Sequence, residues 1–326
     1  MAKHYAIVHF WPARDGFRKR MELLAEALSP AGRMERIRTP SQLLRLMAGR
    51  AMRRGEVSLI VYTSLLAPLV GVLKLFGPDL RVYYMVRGDE VTWAEHANRR
   101  LRARAGRALQ RLMVRLRCRF VFASADLHET FVERLGPIAW ARVLPNTLGE
   151  PLPDIRPFDG RLAVVGDFAS VKNIECVIEC LAGGEHRVDL YGNRSMPDAW
   201  KRPWLHAHGF VRDLKSALGK SSLLVLASVS EGSPNVLLDA LQAGCGVVVH
   251  RGFPFRRLPV AEQWRFRLNR VRRPGAASGR GAADSADLPS VLRKLRSGRQ
   301  DFKRANPALI RLVESDWRRR VLDVFA

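Results

Sequence analysis

Three polar side chains stand close together in a mainly apolar stretch of the sequence. The stretch is residues 222–250, SLLVLASVSEGSPNVLLDALQAGCGVVVH, and the side chains are Glu231, Asn235 and Asp239. Asn235 and Asp239 are four residues apart, so a helix places them on one face. The start of a helix presents unpaired N–H groups and the positive end of its dipole, which suits phosphate. An acid one turn further along can accept hydrogen bonds from a ribose, and Glu231, just before the helix, can face a sugar.

The local sequence predicts a strand, a loop and a helix that would position these groups. A buried strand ends near Ser228, and residues 229–232 form a loop. Ser233 is predicted as the N-cap and Pro234 as the first helical residue, because serine caps helices and proline opens them. Gly244 ends the helix, and another strand follows. Generic Rossmann packing explains the strand, the Ser-Pro pair and the glycine, but it does not require the three polar residues together.

The segment EGSPNVLLDALQAGCGVVV resembles the E-x7-E region of retaining glycosyltransferases of family 4, whose usual form is close to EGFPNVLLEALACGTPVV. The resemblance implies that Glu231, the catalytic candidate, contacts the transferred sugar and that Asp239 holds the ribose. It also implies that loop amides hold the donor diphosphate, and the corresponding residues are Gly232, Ser233, Pro234 and Asn235. The second acid is aspartate here, one methylene shorter than the usual glutamate, which changes its distance to the ribose.

Two further segments resemble landmarks of the same nucleotide-binding domain. LAVVGDFASVKNIECVIECL resembles the pattern GR-x4-K-G/N, which places Gly166 and Lys172 at the donor, with Lys172 neutralising its phosphates. Considered alone, Lys172 is as readily a solvated lysine before a helix. The arginine of that pattern is Asp167 here, so either a nearby arginine such as Arg194 replaces it or donor binding is weak. The other segment, HGFV, resembles the part that contacts the nucleobase, and the matching residues are Gly209, Phe210 and Val211.

The N-terminal half carries candidate acceptor-side residues after two predicted strands. Family members often have a glycine-rich loop after the first strand, but the corresponding WPARDGFRKR contains only Gly16. After the third strand, VRGDE has Arg87 where the family often has histidine, followed by Asp89 and Glu90. An arginine cannot serve as a base, but it can hold an anionic acceptor; a surface turn explains this triplet equally well. His96 either orients the acceptor or is simply solvated.

The order of predicted elements describes two α/β domains. Short apolar runs alternate with longer amphipathic runs in both halves, which favours parallel sheets covered by helices. Ligands of such sheets bind in the crevice beyond the carboxyl ends of the strands. The resemblance implies the GT-B fold, two Rossmann-like doubly wound domains facing a central cleft. The predicted ranges are 1–150 for the acceptor domain, 151–160 for a proline-rich linker and 161–308 for the donor domain, which contains a loop at 271–287. The last range, 309–326, is a C-terminal helix that packs back on the N-terminal domain, with Ser315 as its predicted N-cap.

The formal net charge is +24, of which +13 lies in residues 1–150 and +11 in the rest. This distribution excludes a basic tail and is compatible with a basic surface. Such a surface suits phospholipid, nucleic acid or phosphorylated substrates, although a proteome rich in arginine explains the same excess. Nucleic acid is not expected as a partner, because the sequence lacks interleaved aromatic residues, zinc-ligand spacing and a recognition motif.

Residues 99–119 contain nine arginines and predict a basic amphipathic helix. The arginines at helical spacing are Arg100, Arg104, Arg107, Arg111 and Arg115. The adjacent apolar stripe is Leu101, Ala105, Ala108, Leu112 and Leu116. Such a helix suits an anionic membrane surface or a phosphorylated lipid or glycan acceptor, and it equally suits an ordinary domain helix whose exposed face is rich in arginine.

The remaining signals concern the compartment. The four cysteines form no C-x-x-C pair, which favours a reducing cytoplasm and core positions; they are Cys118, Cys176, Cys180 and Cys245. The N-terminus predicts a strand rather than a signal peptide, and the uncharged run 57–73 is interrupted by Pro68, so we expect no transmembrane helix. Peripheral contact with the inner face of the cytoplasmic membrane is a hypothesis from the basic helix.

The family resemblance implies a retaining glycosyltransferase that moves a hexose-type sugar from a nucleotide-sugar to a cell-surface glycan or glycolipid of lipopolysaccharide or exopolysaccharide type. The nucleotide-sugar is a substrate, and no metal or other cofactor is implied. No carboxylate pair of the hydrolase type is evident, so we expect catalysis to rest on orientation and on stabilising the departing diphosphate. The alternatives are a catalytically degraded relative, suggested by Asp167 and Arg87, and a nucleic-acid-binding protein.

Overall fold

The chain forms two compact units in a computed structural model. The structure describes residues 3–8, 15–53, 57–77, 79–166, 172–182, 186–192, 196, 198–228, 231, 234–251, 259–266, 287–297 and 301–325, without the side chains of 15–20, 50–53, 96 and 262. The first unit comprises Met1–Val91, Arg100–Asn146 and Asp316–Ala326, and the second comprises Thr92–Arg99 and Thr147–Ser315.

The first unit is built on one parallel sheet with helices on both faces. Its strands are β1 Lys3–Val8, β2 Gly32–Ile37, β3 Val57–Val61, β4 Arg81–Val86, β5 Arg119–Phe122 and β6 Ala141–Val143. Its helices are α1 Asp15–Leu28, α2 Pro40–Arg53, α3 Ala67–Phe76, α5 Arg100–Arg115, α6 Ala125–Leu135 and α13 Trp317–Phe325, while α4, Glu90–His96, spans the division. The strand order is β2-β1-β3-β4-β5-β6, and every pair is parallel.

The second unit repeats this architecture. Its strands are β7 Arg161–Val165, β8 Arg187–Tyr191, β9 Leu205–Gly209, β10 Leu223–Leu226, β11 Gly246–His250 and β12 Arg265–Phe266. Its helices are α7 Ile174–Leu181, α8 Leu214–Leu218, α9 Asn235–Gln242, α10 Leu288–Ser297, α11 Phe302–Ala305 and α12 Pro307–Glu314. The parallel order is β12-β11-β10-β7-β8-β9, so the chain winds outward in both directions from β7. The prediction of two doubly wound α/β domains is confirmed.

The sequence patterns gave no indication of β2 or α2. Strand β2, GRMERI, lies at the sheet edge, and Ile37 is its single fully buried residue. An edge strand needs no continuous apolar run, because only part of its surface packs on the core. The helix that follows it was missed together with it.

The last helix packs within the first unit. The ring of Phe325 lies 4.5 Å from that of Tyr83, and the Tyr5 hydroxyl donates to the Phe325 carbonyl at 3.1 Å. The predicted cap was wrong, since the Asp316 carboxylate accepts from two amides of the first turn of α13. Ser315 instead is the C-cap of α12, and its hydroxyl donates to the Leu312 backbone carbonyl. Helix α13 is the helix predicted after Ser315, and α12 occupies the first residues of the predicted range 309–326.

The proline-rich segment 151–160 is fixed to the second unit by Arg156. The Arg156 guanidinium donates to the backbone carbonyls of Leu218, Gly219, Ser221 and Ala243, at the ends of α8 and α9. Cations favour the carboxyl ends of helices, where carbonyls are unpaired. At the other end of the segment, the Leu152 amide donates to the Glu314 carboxylate at 2.7 Å. This segment is part of the fold of the second unit.

Helix α5 is rotated from its predicted orientation. Its buried residues are Ala103, Gln110 and Met113, which follow helical spacing. The predicted apolar stripe is largely solvent-facing, since Leu101 is 79% exposed and Ala105 and Ala108 are also exposed. The prediction failed because Ala103 and Gln110 share the inner line with Met113, while Leu101 lies outside. Among the described residues, no helix is long and apolar enough to cross a membrane.

Candidate functional site

Two predicted donor-site residues meet where the strand order of the second sheet reverses. Strands β7 and β10 are neighbours, and ligands of doubly wound sheets bind beyond the carboxyl ends of such a pair. Lys172 follows β7 and Glu231 follows β10, and the Lys172 ammonium donates to the Glu231 carboxylate. The two side chains are 29% and 17% exposed, so the ion pair is open to a ligand from solvent.

Gly166 leaves room for the Lys172 side chain. Its φ is +148°, which side-chain-bearing residues rarely adopt, and its amide donates to the Tyr191 carbonyl at 2.8 Å. A Cβ at this position would lie 3.3 Å from both Cγ and Cδ of Lys172. The structure therefore brings three candidate site residues, Gly166, Lys172 and Glu231, together.

Asn173 joins the two strand ends and was missed as a site residue. Its backbone is left-handed, with φ of +52°, directly before α7. Its buried side-chain amide donates to the Ala227 carbonyl at 3.0 Å, just after β10. Asparagine tolerates this backbone conformation better than most residues. The asparagine immediately after Lys172 is therefore the sequence feature that could have identified this position. Through this bond Asn173 fixes Lys172 beside the chain that leads to Glu231.

The helix after Glu231 begins one residue later than predicted. Pro234 has extended backbone angles and occupies the N-cap position, and α9 starts at Asn235. Asn235 and Asp239 are both half-buried residues of α9, one turn apart. Gly244 follows the helix with φ of +74°. The predicted phosphate-binding residues Gly232 and Ser233 lie outside the described residues.

The predicted nucleobase segment lies after β9, at the edge of the same sheet. Gly209 ends β9 with φ of +69°, and its carbonyl accepts from the Gly192 amide at 3.0 Å. The Phe210 side chain is 62% exposed, while Val211 is half-buried. An exposed ring beside a turn is available for stacking on a flat ligand. Asp167 and Arg194 lie outside the described residues, and so does the predicted loop 271–287 except for Asp287.

In the first unit, Arg87 is a half-buried cation at the carboxyl end of β4. Its guanidinium donates to the side-chain oxygen of Asn146, and no carboxylate among the described residues contacts it. Burial lowers the pKa of the Arg87 guanidinium, and it raises the pKa of the neighbouring Tyr62, a shift that the charge of Arg87 opposes. A desolvated charge that no carboxylate of the described residues neutralises is costly, which makes this position suitable for an anion.

The other acceptor-side candidates are placed differently. The Asp89 carboxylate accepts hydrogen bonds from the two terminal nitrogens of Arg134 at 2.7 and 2.5 Å, and it also accepts one from the Val91 amide. Asp89 is thus bound into the fold at the start of α4. Burial raises the pKa of Glu90, whose carboxylate accepts from the Ser64 hydroxyl at 3.3 Å.

Two acceptor-side candidates lie in helices rather than loops. Gly16 belongs to the first turn of α1, whereas a loop was predicted there. His96 is the last residue of α4, and its side chain is not described. Within the described ranges, no cluster of three or more His, Cys, Asp or Glu side chains could hold a metal ion.

Residues 155–257 match the family model described as glycosyl transferases group 1. The matched range runs from the segment around Arg156 through β11 and includes both Lys172 and Glu231. A search of the curated proteins finds no match.

The fold is that of solved GT-B enzymes. Sucrose-phosphate synthase from Thermosynechococcus elongatus superposes with a TM-score of 0.64 at 16% identity, covering 99% of this chain and 95% of that one. HepE from Anabaena, in complex with UDP and glucose, gives 0.62 at 11% identity, covering 100% and 96%. The UDP-forming α,α-trehalose-phosphate synthase from Burkholderia xenovorans, in complex with glucose-6-phosphate, gives 0.59 at 10% identity over the whole of both chains. The predicted GT-B fold is confirmed.

Proposed function

We propose that the chain is a retaining glycosyltransferase of family 4 that transfers a hexose-type sugar from a nucleoside-diphosphate donor to a glycan or glycolipid of lipopolysaccharide or exopolysaccharide type. The observation that carries the proposal is the Lys172–Glu231 contact at the reversal of strand order. A cation there can bind the diphosphate, and a carboxylate can accept hydrogen bonds from sugar hydroxyls. The glycosyl transferases group 1 match and the UDP and glucose held by HepE support this reading.

Donor binding would change the partners of both charged groups. Lys172 would turn from Glu231 to the diphosphate, and Glu231 would accept hydrogen bonds from the sugar. In the transfer, the bond between the anomeric carbon and the diphosphate oxygen breaks, and the acceptor hydroxyl oxygen bonds to that carbon from the same face. The hydroxyl proton passes to the departing diphosphate. Lys172 lowers the barrier by stabilising the charge that develops on the diphosphate.

We propose the remaining donor contacts from the positions of the residues in the second unit. Asp239, one turn into α9, would hold the ribose, and the amides at the start of α9 would hold phosphate. The exposed Phe210 ring would stack on the base. We propose that no metal takes part, and that the acceptor is reached at the cytoplasmic face of a membrane.

A donor screen tests the function directly. Purified protein is incubated with UDP-, GDP- and ADP-hexoses in EDTA, and the release of the nucleoside diphosphate is measured. We expect slow hydrolysis of one donor class and an increase in melting temperature with the matching nucleoside diphosphate, since a ligand that binds only the folded state stabilises it. Stabilisation by DNA or RNA alone, with no donor cleaved, would overturn the enzyme proposal.

Arg87 is proposed to hold an oxyanion of the acceptor. Replacing Arg87 with glutamine is expected to raise the KM for glycosyl phosphate acceptors about 10- to 100-fold, because a hydrogen bond to a charged group contributes roughly 1.5–3 kcal/mol. Donor hydrolysis should not change, since Lys172 and Glu231 belong to the other unit. The measurement compares a glycosyl phosphate with an uncharged glycoside of the same sugar.

The control for this variant is Arg81→Gln, at the opposite end of β4. It removes the same charge from the same strand and should leave both KM values unchanged. An equal rise in KM for charged and uncharged acceptors in Arg87→Gln would contradict an oxyanion site.

A further inference from the structure

One face of α3 and of the turn before it is apolar and exposed. The residues that form this apolar face are Leu65, Pro68, Val72, Leu75 and Phe76. Leu75 is 82% exposed and Phe76 is 84% exposed, while Val70 and Leu73 on the opposite side are buried. Single exposed apolar residues are ordinary, but a stripe at helical spacing with a phenylalanine at its end is typical of an interaction surface.

The arginine-rich helix α5 lies beside α3. Both helices bury residues in the same hydrophobic cluster, Val70 and Leu73 from α3 and Met113 from α5, so they cover the same face of the sheet. A Cβ on Gly71 would lie 3.7 Å from Leu116 Cδ1, just after the end of α5. At the other end, Glu90 accepts from Ser64, and its charge interacts with that of Arg102. The outer faces of the two helices therefore point away from the sheet together.

The charged side chains of α3 and α5 themselves are all positive. Helix α5 contains six arginines and no acid, and α3 contains Lys74 and no acid. The exposed arginines of α5 are Arg100, Arg102, Arg104, Arg111 and Arg115. Leu101 is 79% exposed among them, so apolar contact area extends into the basic helix. The surface thus combines a row of cations with an exposed apolar stripe.

We propose that the outer faces of α3 and α5 form a docking surface for an anionic phospholipid bilayer. The arginines would lie at the phosphate level, and the α3 side chains, with Phe76 foremost, would enter the boundary between headgroups and acyl chains. Nucleic acid would use the arginines but would leave Leu75 and Phe76 in water. A second copy of this chain would bring two rows of arginines against each other. Only a bilayer uses both features, and this inference does not depend on the donor site.

Vesicle flotation tests the surface without any substrate. The full chain is mixed with phosphatidylcholine vesicles that contain or lack phosphatidylglycerol, at low and high salt. We expect flotation with the anionic vesicles only, and weaker flotation at high salt. Arg104→Gln with Arg111→Gln should weaken partitioning about thirtyfold, at roughly 1 kcal/mol for each basic side chain near the membrane. Leu75→Ser with Phe76→Ser should weaken it at least tenfold at low salt, since about 0.8 kcal/mol is gained per buried CH₂.

The matched control is Arg33→Gln with Arg319→Gln, which removes the same net charge from exposed positions on β2 and α13. It should float as the unmodified protein does, and all variants should melt at the same temperature. Absence of flotation at low salt, equal loss in the control, or undiminished flotation of the Leu75/Phe76 variant would overturn the proposal. A dimer that dissociates in the Leu75/Phe76 variant, without vesicle binding, would assign the face to self-association instead.

Discussion

Replacing Glu231 with glutamine is expected to lower the turnover of sugar transfer by about 10²- to 10³-fold, the usual loss when one preorganised electrostatic contact to the transition state is removed. Glutamine keeps the shape and the hydrogen-bonding oxygen of the side chain but removes its charge. The nucleoside diphosphate should bind as well as before or more tightly, because Lys172 loses its protein partner and is free for phosphate. The measurements are single-turnover transfer and calorimetric titration with the diphosphate.

The control for Glu231→Gln is Asp198→Asn, which breaks the exposed Lys201–Asp198 pair in the same unit. It removes the carboxylate that pairs with Lys201 and leaves the candidate site unchanged, so transfer should be unaffected. The melting temperature of Glu231→Gln should change little, because a partly exposed ion pair contributes about 1 kcal/mol or less to stability. Normal turnover in Glu231→Gln would end its assignment as the catalytic residue.

The centre of the candidate site was predictable because its signals are local. Glu231 stands in the long segment EGSPNVLLDALQAGCGVVV, and Lys172 stands in a segment that resembles GR-x4-K-G/N, so the family resemblance identified both as candidates. What pattern cannot provide is their contact, which depends on β7 and β10 being neighbours although their first residues, Arg161 and Leu223, are 62 positions apart in the sequence. The doubly wound strand order makes that pairing, and it is a property of the whole sheet.

The residues that sequence reasoning missed are those whose role is set by distant partners. Arg134 holds Asp89 across 45 residues, and Asn146 binds Arg87 across 59. Nothing near Arg134 or Asn146 in the sequence indicates these bonds. Asp89 was therefore predicted as an acceptor contact when its carboxylate is bound within the fold.

The orientation of α5 failed for a different physical reason. An amphipathic helix is oriented by its largest apolar side chains when no competing surface exists. Here Ala103 and Gln110 face the sheet, and Leu101 faces solvent. Leu101 is the same residue that extends the proposed membrane surface into α5.

Replacing Lys172 with methionine is expected to weaken binding of the nucleoside diphosphate about 10- to 100-fold, because a hydrogen bond to a charged group contributes roughly 1.5–3 kcal/mol. Methionine keeps an unbranched side chain above Gly166, where the Lys172 methylenes lie, so the backbone has no reason to move. Lys201→Met, which breaks the exposed pair with Asp198, should leave the affinity unchanged.

The combination of Lys172→Met with Glu231→Gln separates a donor site from a merely structural ion pair. If the pair serves only the fold, each single variant destabilises the second unit, the double variant costs no more than one of them, and diphosphate affinity does not change. If Lys172 binds the diphosphate and Glu231 contacts the sugar, the two variants act on different steps. Lys172→Met then weakens binding of the diphosphate whether residue 231 is glutamate or glutamine, and Glu231→Gln lowers turnover at saturating donor. A double variant that binds the diphosphate as tightly as Glu231→Gln alone would exclude Lys172 from the donor site, because these two proteins differ only in the Lys172 side chain.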